Sequence, residues 1–355
     1  MTTMLDRFWR AERRRLITDL AEENAVTLSA TETENAVTVL DEPLAFDPTR
    51  ITVRIDIARL VSPHLVAVEI ARQTGSVLAG GTDLFALPAQ SRTPEQTVDL
   101  LEIRRTLGQA APALDGEDGD DGVVVSAALQ ALEHHGASLR TRPVLALIGP
   151  ERALIDTKLG DLWWSMRGTA QRLSQLVLVF CGGPGVSELT GDKRRAFYGW
   201  GTEITLGSAD LMLLSTEIER RLRPVQPPET AERSAAHIAE LSQGSISTAE
   251  QLTERVVAHV KDRRAVDVPT VWQELLAVHR PRLRTLAATT ASLHTLAIPI
   301  CITIARHQSP YQTDVGYPST ISRAIIALRA AGIIDRRGPR SWRIVDPLFQ
   351  TWLAT

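Results

Sequence analysis

The sequence predicts an α/β fold with a parallel sheet, then a helical region, then a C-terminal winged helix-turn-helix. Three observations carry this reading. Strand and helix patterns alternate through roughly the first 200 residues, the rhythm of a parallel sheet with crossover helices. Pro143–Gly149 and Gln175–Gly183 are near-continuous apolar runs of strand length, as strands covered on both faces require. Finally, Pro318–Ile334 has helical spacing and is followed by two short alternating stretches around Gly338-Pro339-Arg340, a hairpin with a Gly/Pro tip.

In chain order, Leu5, Phe8, Trp9, Leu16 and Leu20 sit at roughly helical spacing and predict an amphipathic helix. Ala25–Ser29 reads as a short strand, residues 31–35 as a polar loop, and residues 36–44 as a short helix stopped near Pro43. Ile51–Leu60 alternates as a strand, and Pro63 opens a helix. Residues 111–122 form a Gly/Asp-rich break. A calcium loop there would need a carboxylate at its twelfth position, which is Ser126, so the break reads as a solvated loop. Residues 123–136 read as a short strand start passing into a helix, and Ile204–Ser208 as a further strand.

Pro224–Pro228 reads as a linker, beyond which the chain turns strongly helical. From Leu283 a long helix runs to His307, followed by a short element at Tyr311–Tyr317 and the helix opened by Pro318. Helix, helix, helix, hairpin is the winged helix-turn-helix, with the Pro318 helix as recognition helix. The predicted domains are therefore 1–223, an α/β core; 224–282, a helical region; and 283–355, the winged helix.

The chain has 355 residues, 44% hydrophobic and 23% charged, with a formal net charge of −3. That balance excludes global attraction to nucleic acid, so any such contact needs a local patch. No stretch has the length and apolarity of a membrane span, and the basic N-terminus lacks the apolar run of a signal peptide. Two distant cysteines, Cys181 and Cys301, fit a reducing compartment with no zinc or disulfide framework. These features predict a cytoplasmic protein without membrane attachment.

The candidate patch lies in the winged helix. Ser319, Thr320, Ser322 and Arg323 cluster at the start of the recognition helix, and Arg336, Arg337, Arg340 and Arg343 decorate the hairpin. Between residues 318 and 343 six arginines face one acid, Asp335, a composition that positions DNA phosphates. The competing reading is a module that docks on protein, with its arginines solvated. Other chemistry is poorly provided for. His134-His135 has no partner at metal-ligand spacing, and there is no Gly-x-Ser-x-Gly elbow. Gly75–Thr82 has phosphate-loop spacing without its lysine and follows a helix rather than a strand. Gly182–Gly185 reads either as an anion nest or as a bare turn. The seven tryptophans read mainly as packing residues, with Trp9 and Trp200 also available to a partner.

The ending of the chain, with Ile344, Asp346, Pro347, Leu348, Phe349, Trp352 and Leu353, resembles the C-terminus of archaeal-type ATPases of the AAA+/STAND group, including origin-recognition-like members. Ala231–Ser245 resembles that group's lid helix, and Gln175–Gly183 with residues 204–215 its fourth strand and the passage into the lid. The resemblance implies a parallel-sheet AAA+ core, a helical lid and a winged helix. It also implies where an ATP site would lie, and each part is altered. The phosphate-loop position reads Ala30-Thr31-Glu32-Thr33-Glu34-Asn35-Ala36-Val37, with both glycines, the lysine and its following hydroxyl missing. Glu32 and Glu34 would repel a polyphosphate. The strand that should end in magnesium-holding acids ends in Gly149-Pro150, with Glu151 one step late, and the polar sensor is replaced by Cys181-Gly182.

The expectation is a non-catalytic, degenerate AAA+-like protein with no catalytic residue, cofactor or metal. Two functions follow: a scaffold that binds double-stranded DNA through its winged helix, or a regulatory subunit that docks on a protein partner such as an active ATPase. A positive face around Arg323–Arg343 favours the first, and an apolar patch around Trp9, Trp200 or the 311–317 loop the second.

Overall fold

The computed structural model describes residues 8–30, 33–46, 50–57, 60, 62–79, 120–151, 159–262, 267–312, 317–338 and 341–355. It resolves into two compact units. One comprises residues 11–29 and 36–205, and the other residues 1–10, 30–35 and 206–355.

The first unit is built on a five-stranded sheet of order β2-β3-β4-β1-β5. Its strands are β1 (Ala25–Ala30), β2 (Thr52–Asp56), β3 (Val144–Ile148), β4 (Val177–Gly182) and β5 (Thr202–Leu206). β2 pairs parallel with β3, β3 with β4, and β4 with β1. The apolar runs become central strands for the predicted reason: Val177–Gly182 is buried at every position and Val144–Leu147 likewise. The helices here are α1 (Arg10–Glu22), α2 (Thr33–Phe46), α3 (Pro63–Leu78), α4 (Asp121–Leu139), α5 (Gly160–Ala170) and α6 (Ser187–Gly191).

Three local expectations change. The polar loop at 31–35 is shorter than predicted, because α2 starts at Thr33 and runs through Pro43 to Phe46. Pro43 sits in the last turn, where losing one amide removes little of the helix. The expected strand start at Val123–Val125 is helix instead. Asp120 accepts from the amides of Gly122 (2.8 Å) and Val123 (3.3 Å), and this cap carries the β-branched run into α4. Of the phosphate-loop decoy, Gly75 is buried inside α3, whereas Gly80–Thr82 and residues 111–119 of the Gly/Asp break lie outside the described residues.

The second unit is helical up to a small antiparallel ribbon. It contains α7 (Leu211–Leu222), α8 (Pro228–Ser242), α9 (Ile246–Lys261), α10 (Val268–Leu293), α11 (Ala297–Ala305), α12 (Pro318–Ala330), β6 (Ile334–Gly338), β7 (Ser341–Ile344) and α13 (Pro347–Ala354). One buried cluster runs through it, from Leu214, Ile218 and Ala235 to Trp272, Ile300, Leu328 and Phe349.

That shared core revises the sequence-derived boundaries. Pro224–Pro228 is not an interdomain linker: the amides of Val225 and Gln226 both bond to Leu222 O at 2.9 Å, and Pro228 takes the first turn of α8, where a missing N–H costs nothing. α7 and α8 are thus the two arms of one helical hairpin. The boundary at 282/283 falls inside α10, which continues past Pro281 for twelve further residues, to Leu293. The break comes at His294, in extended conformation, whose Nδ1 accepts from the amide of Leu296 at 3.1 Å. Histidine here supplies the cap that the sequence pattern did not announce.

Candidate functional site

α12 is placed by its own apolar stripe. Ile321, Ala324, Ile325 and Leu328, at i, i+3, i+4 and i+7, are buried against the core. The opposite face then falls to Ser319, Arg323 and Ile326, all exposed, flanked by half-buried Thr320 and Ser322. The Ser322 hydroxyl lies 3.5 Å from the hydroxyl of Tyr311, which sets that ring beside the same face. Tyr317, the residue before the helix, is 82% exposed.

Gly332, at φ 68°, turns the chain out of α12, and the amides of Gly332 and Ile333 return to the carbonyls of Arg329 and Leu328 at 2.9 Å. The ribbon register then sorts the arginines. Arg336 stands opposite Trp342 and Asp335 opposite Arg343. Arg336 is exposed, with its guanidinium 5.6 Å from the Trp342 ring centre. Arg343 takes the other side: it pairs with Asp335 at 3.3 Å, donates to the Ser208 hydroxyl, and leaves 16% of its side chain exposed. Arg343 is therefore spent on internal packing rather than presented with the patch. Of the predicted residues, α12 brings together Ser319, Thr320, Ser322 and Arg323, and the ribbon presents Arg336. The side chains of Arg337 and Arg340 lie outside the described residues.

Sequence reasoning missed Ile326, 63% exposed on this face, and Leu211, Met212 and Leu213, exposed at the start of α7. The signal was present in both places. Ile325 and Ile326 cannot both lie on one helical stripe, and Asp210, which caps α7 by accepting from Met212 and Leu213, starts a helix whose inward position is Leu214. Trp9 is half-buried beside Phe8, and Trp200, also half-buried, stacks on Phe197 at 5.5 Å. Trp164 departs from the packing reading, at 52% exposed.

At the carboxyl ends of β3 and β4 the chain holds a buried acid. Glu151 Oε1 accepts from the amide of Gly183 at 2.8 Å. Burial pushes its carboxyl above the usual range, with the Gly183 amide pulling the other way. The Gly182–Gly185 segment is thus a turn whose Gly183 amide serves an internal carboxyl. A β-carbon on Gly182 would fall 2.2 Å from Glu151 Oε2, so a side chain there requires this carboxyl to shift. Beside it, Cys181 is buried, and desolvation together with the nearby Glu151 pushes its thiol far above the ordinary range. Among the described residues no cluster of three His, Cys, Asp or Glu side chains is arranged to hold a metal ion, and no helix is long and apolar enough to cross a membrane.

No family model and no curated protein matches the sequence. Solved structures match the fold. A Walker-type ATPase of Pyrococcus abyssi aligns over 100% of this chain and 98% of its own, at TM-score 0.64 and 16% identity. The ORC2 protein of Aeropyrum pernix, solved in ADPNP–ADP complexes, aligns over 98% and 92% at TM-score 0.56 and 12% identity. The fold is that of the AAA+ ATPases. The ORC1 protein of Aeropyrum pernix, solved in complex with DNA, aligns over 97% and 91% at TM-score 0.51 and 18% identity. On an AAA+ fold the phosphate loop belongs between the first strand and its helix, and here β1 ends at Ala30 and α2 begins at Thr33.

Proposed function

We propose that this chain is a DNA-associated scaffold on an AAA+ fold that does not hydrolyse ATP, and that α12 and the β6–β7 ribbon act as a winged helix on duplex DNA. The observation that carries the reading is the exposed face of α12, where Ser319 and Arg323 stand clear of the core, with Arg336 exposed on the ribbon. Residues 283–355 hold eight arginines against three aspartates, a formal excess of five within a chain of net charge −3. Cationic charge is therefore concentrated in the segment that carries the exposed helix face, as a local phosphate contact requires. The alignment with a protein solved in complex with DNA agrees with this use.

Loss of hydrolysis is supported by chemistry at each expected position. The segment 30–37 contains no glycine or lysine to wrap and neutralise a phosphate. A Gly-x-x-x-x-Gly-Lys loop has little room where only residues 31 and 32 separate β1 from α2. Glu151, the acid nearest the end of β3, is buried against Gly183 rather than open to a magnesium ion.

The test is a salt-titrated binding assay with duplex DNA. Wild type should bind at low salt with an affinity that falls steeply as salt rises. Arg336→Ala should weaken binding and flatten the log–log slope by about one unit for the phosphate left without its arginine, and Arg323→Ala should weaken binding. Absence of binding at low salt would sink the reading.

A second function, docking on a protein partner, is favoured by Met212, 75% exposed between exposed Leu211 and Leu213, and by Tyr317. Met212→Glu should then abolish co-purification of a partner without touching DNA affinity.

A further inference from the structure

We propose that Ile326 is a specificity-determining residue that reads the C5 methyl group of a thymine, one base step from a guanine read by Arg323. The inference rests on the reading of α12 as a DNA-contacting helix and adds what that helix recognises.

Scattered exposed apolar residues on a protein surface need no explanation. Ile326 differs by its placement. It is 63% exposed on a helix whose inward stripe is complete without it, since Ile321, Ala324, Ile325 and Leu328 already fill the core side. It stands three residues beyond Arg323 and seven beyond Ser319, both exposed, so the three form one row along the outward face. A three-residue step advances about 4.5 Å along a helix axis. The base step along one strand of duplex DNA is about 3.4 Å. Neighbours in this row therefore meet neighbouring base pairs when the helix lies along the major groove.

The side chains then select their partners by chemistry. A guanidinium donates two parallel hydrogen bonds to O6 and N7 of guanine. An isoleucine offers no donor or acceptor, and the only apolar group that the major groove presents is the thymine methyl. Any other base would leave a polar edge desolvated against Ile326 without a partner. Ser319, with a hydroxyl that both donates and accepts, fits any base or a phosphate and sets position rather than sequence. The arrangement is thus a two-letter reader, guanine beside thymine, held by less selective contacts.

The experiment selects duplexes from a randomised library with the full wild-type chain, then replaces individual thymines in the selected duplex by uracil, which removes the methyl group and nothing else. Selected sequences should carry a guanine next to a thymine. One uracil replacement should weaken wild-type binding roughly fourfold, the value of burying one carbon group. Ile326→Ala, a change at an exposed position, should bind thymine and uracil duplexes equally. If Ile326→Ala still distinguishes thymine from uracil, the methyl is read elsewhere and the inference falls. If selection yields no sequence preference while Arg323→Ala still weakens binding, the methyl reading falls and the DNA reading stands. If no duplex binds at low salt, both fall.

Discussion

Glu151 and Gly183 are joined by a 2.8 Å hydrogen bond from the Gly183 amide to Oε1, and the other carboxyl oxygen is buried with no hydrogen-bond partner among the described residues. The acid nearest the end of β3 is thus built into the turn after β4. A buried carboxyl of this kind resists ionisation, so its pKa in the folded chain is raised.

The pH consequence has a definite sign. Below the ordinary glutamate value of about 4.3 both folded and unfolded chains hold the proton, and Glu151 costs nothing. Above it the unfolded chain releases the proton while the folded chain keeps it, so stability falls as pH rises, until the folded pKa is passed. Glu151→Gln removes this dependence. The variant should gain stability at neutral pH relative to wild type and match it more closely near pH 4, as urea midpoints across that range would show.

A side chain at Gly182 should displace the Glu151 carboxyl from its bond to Gly183. The added β-carbon would sit 2.2 Å from Oε2 and 2.9 Å from Cδ. Gly182→Ala should destabilise by about 1–3 kcal/mol, the usual range for overpacking. Combined with Glu151→Ala the two costs should not add, because the clash disappears with the carboxyl. A double-mutant cycle measures this coupling directly.

Gly201 makes a sharper demand on backbone. Its φ is +81°, and a β-carbon would fall 2.2 Å from the carbonyl oxygen of Ala25 at the start of β1. Both the dihedral and the contact oppose a side chain, and neither neighbour is a flexible chain end. Gly201→Ala should cost about 2 kcal/mol or more, read as a lowered urea midpoint with an unchanged slope.

The sequence revealed some of these features and concealed others for identifiable reasons. Val144–Ile148 and Val177–Gly182 were legible because central parallel strands need apolar side chains on both faces. The split at His294 was not, because a histidine cap has no compositional signature, and the boundary read at 282/283 falls where α10 continues. Pro224–Pro228 has linker composition, yet Leu222 and Ala231 on either side of it are buried in one core. In the candidate site, Ser319 and Arg323 were placed by the stripe of α12. The fates of Arg336 and Arg343 depend on ribbon register, with an irregularity between Arg336 and Gly338, which hydrophobic pattern alone does not fix.

Two arginines of the same segment have opposite tests. Arg343→Ala removes the pair with Asp335 and the bond to Ser208, and should destabilise by about 1–3 kcal/mol. Arg323→Ala, at an exposed position, should leave stability within about 0.5 kcal/mol of wild type. Its effect should appear in DNA affinity instead. Thermal melting and binding titration on the same two variants separate the roles, and a destabilised Arg323→Ala with native DNA affinity would reverse them.

Nucleotide provides the remaining prediction. A ligand that binds only the folded chain stabilises it by about 2.7 kcal/mol at a hundredfold excess over its Kd. On a chain of 355 residues each kcal/mol moves the melting temperature by about 1.3 °C. An ATP site of ordinary affinity would therefore raise Tm by several degrees at millimolar MgATP. With no lysine or glycine between β1 and α2, and Glu151 turned into the β4 turn, MgATP and MgADP should leave Tm unchanged. A magnesium-dependent rise would mean that the fold holds nucleotide by other groups, and single-turnover hydrolysis would then decide whether the chain is inactive.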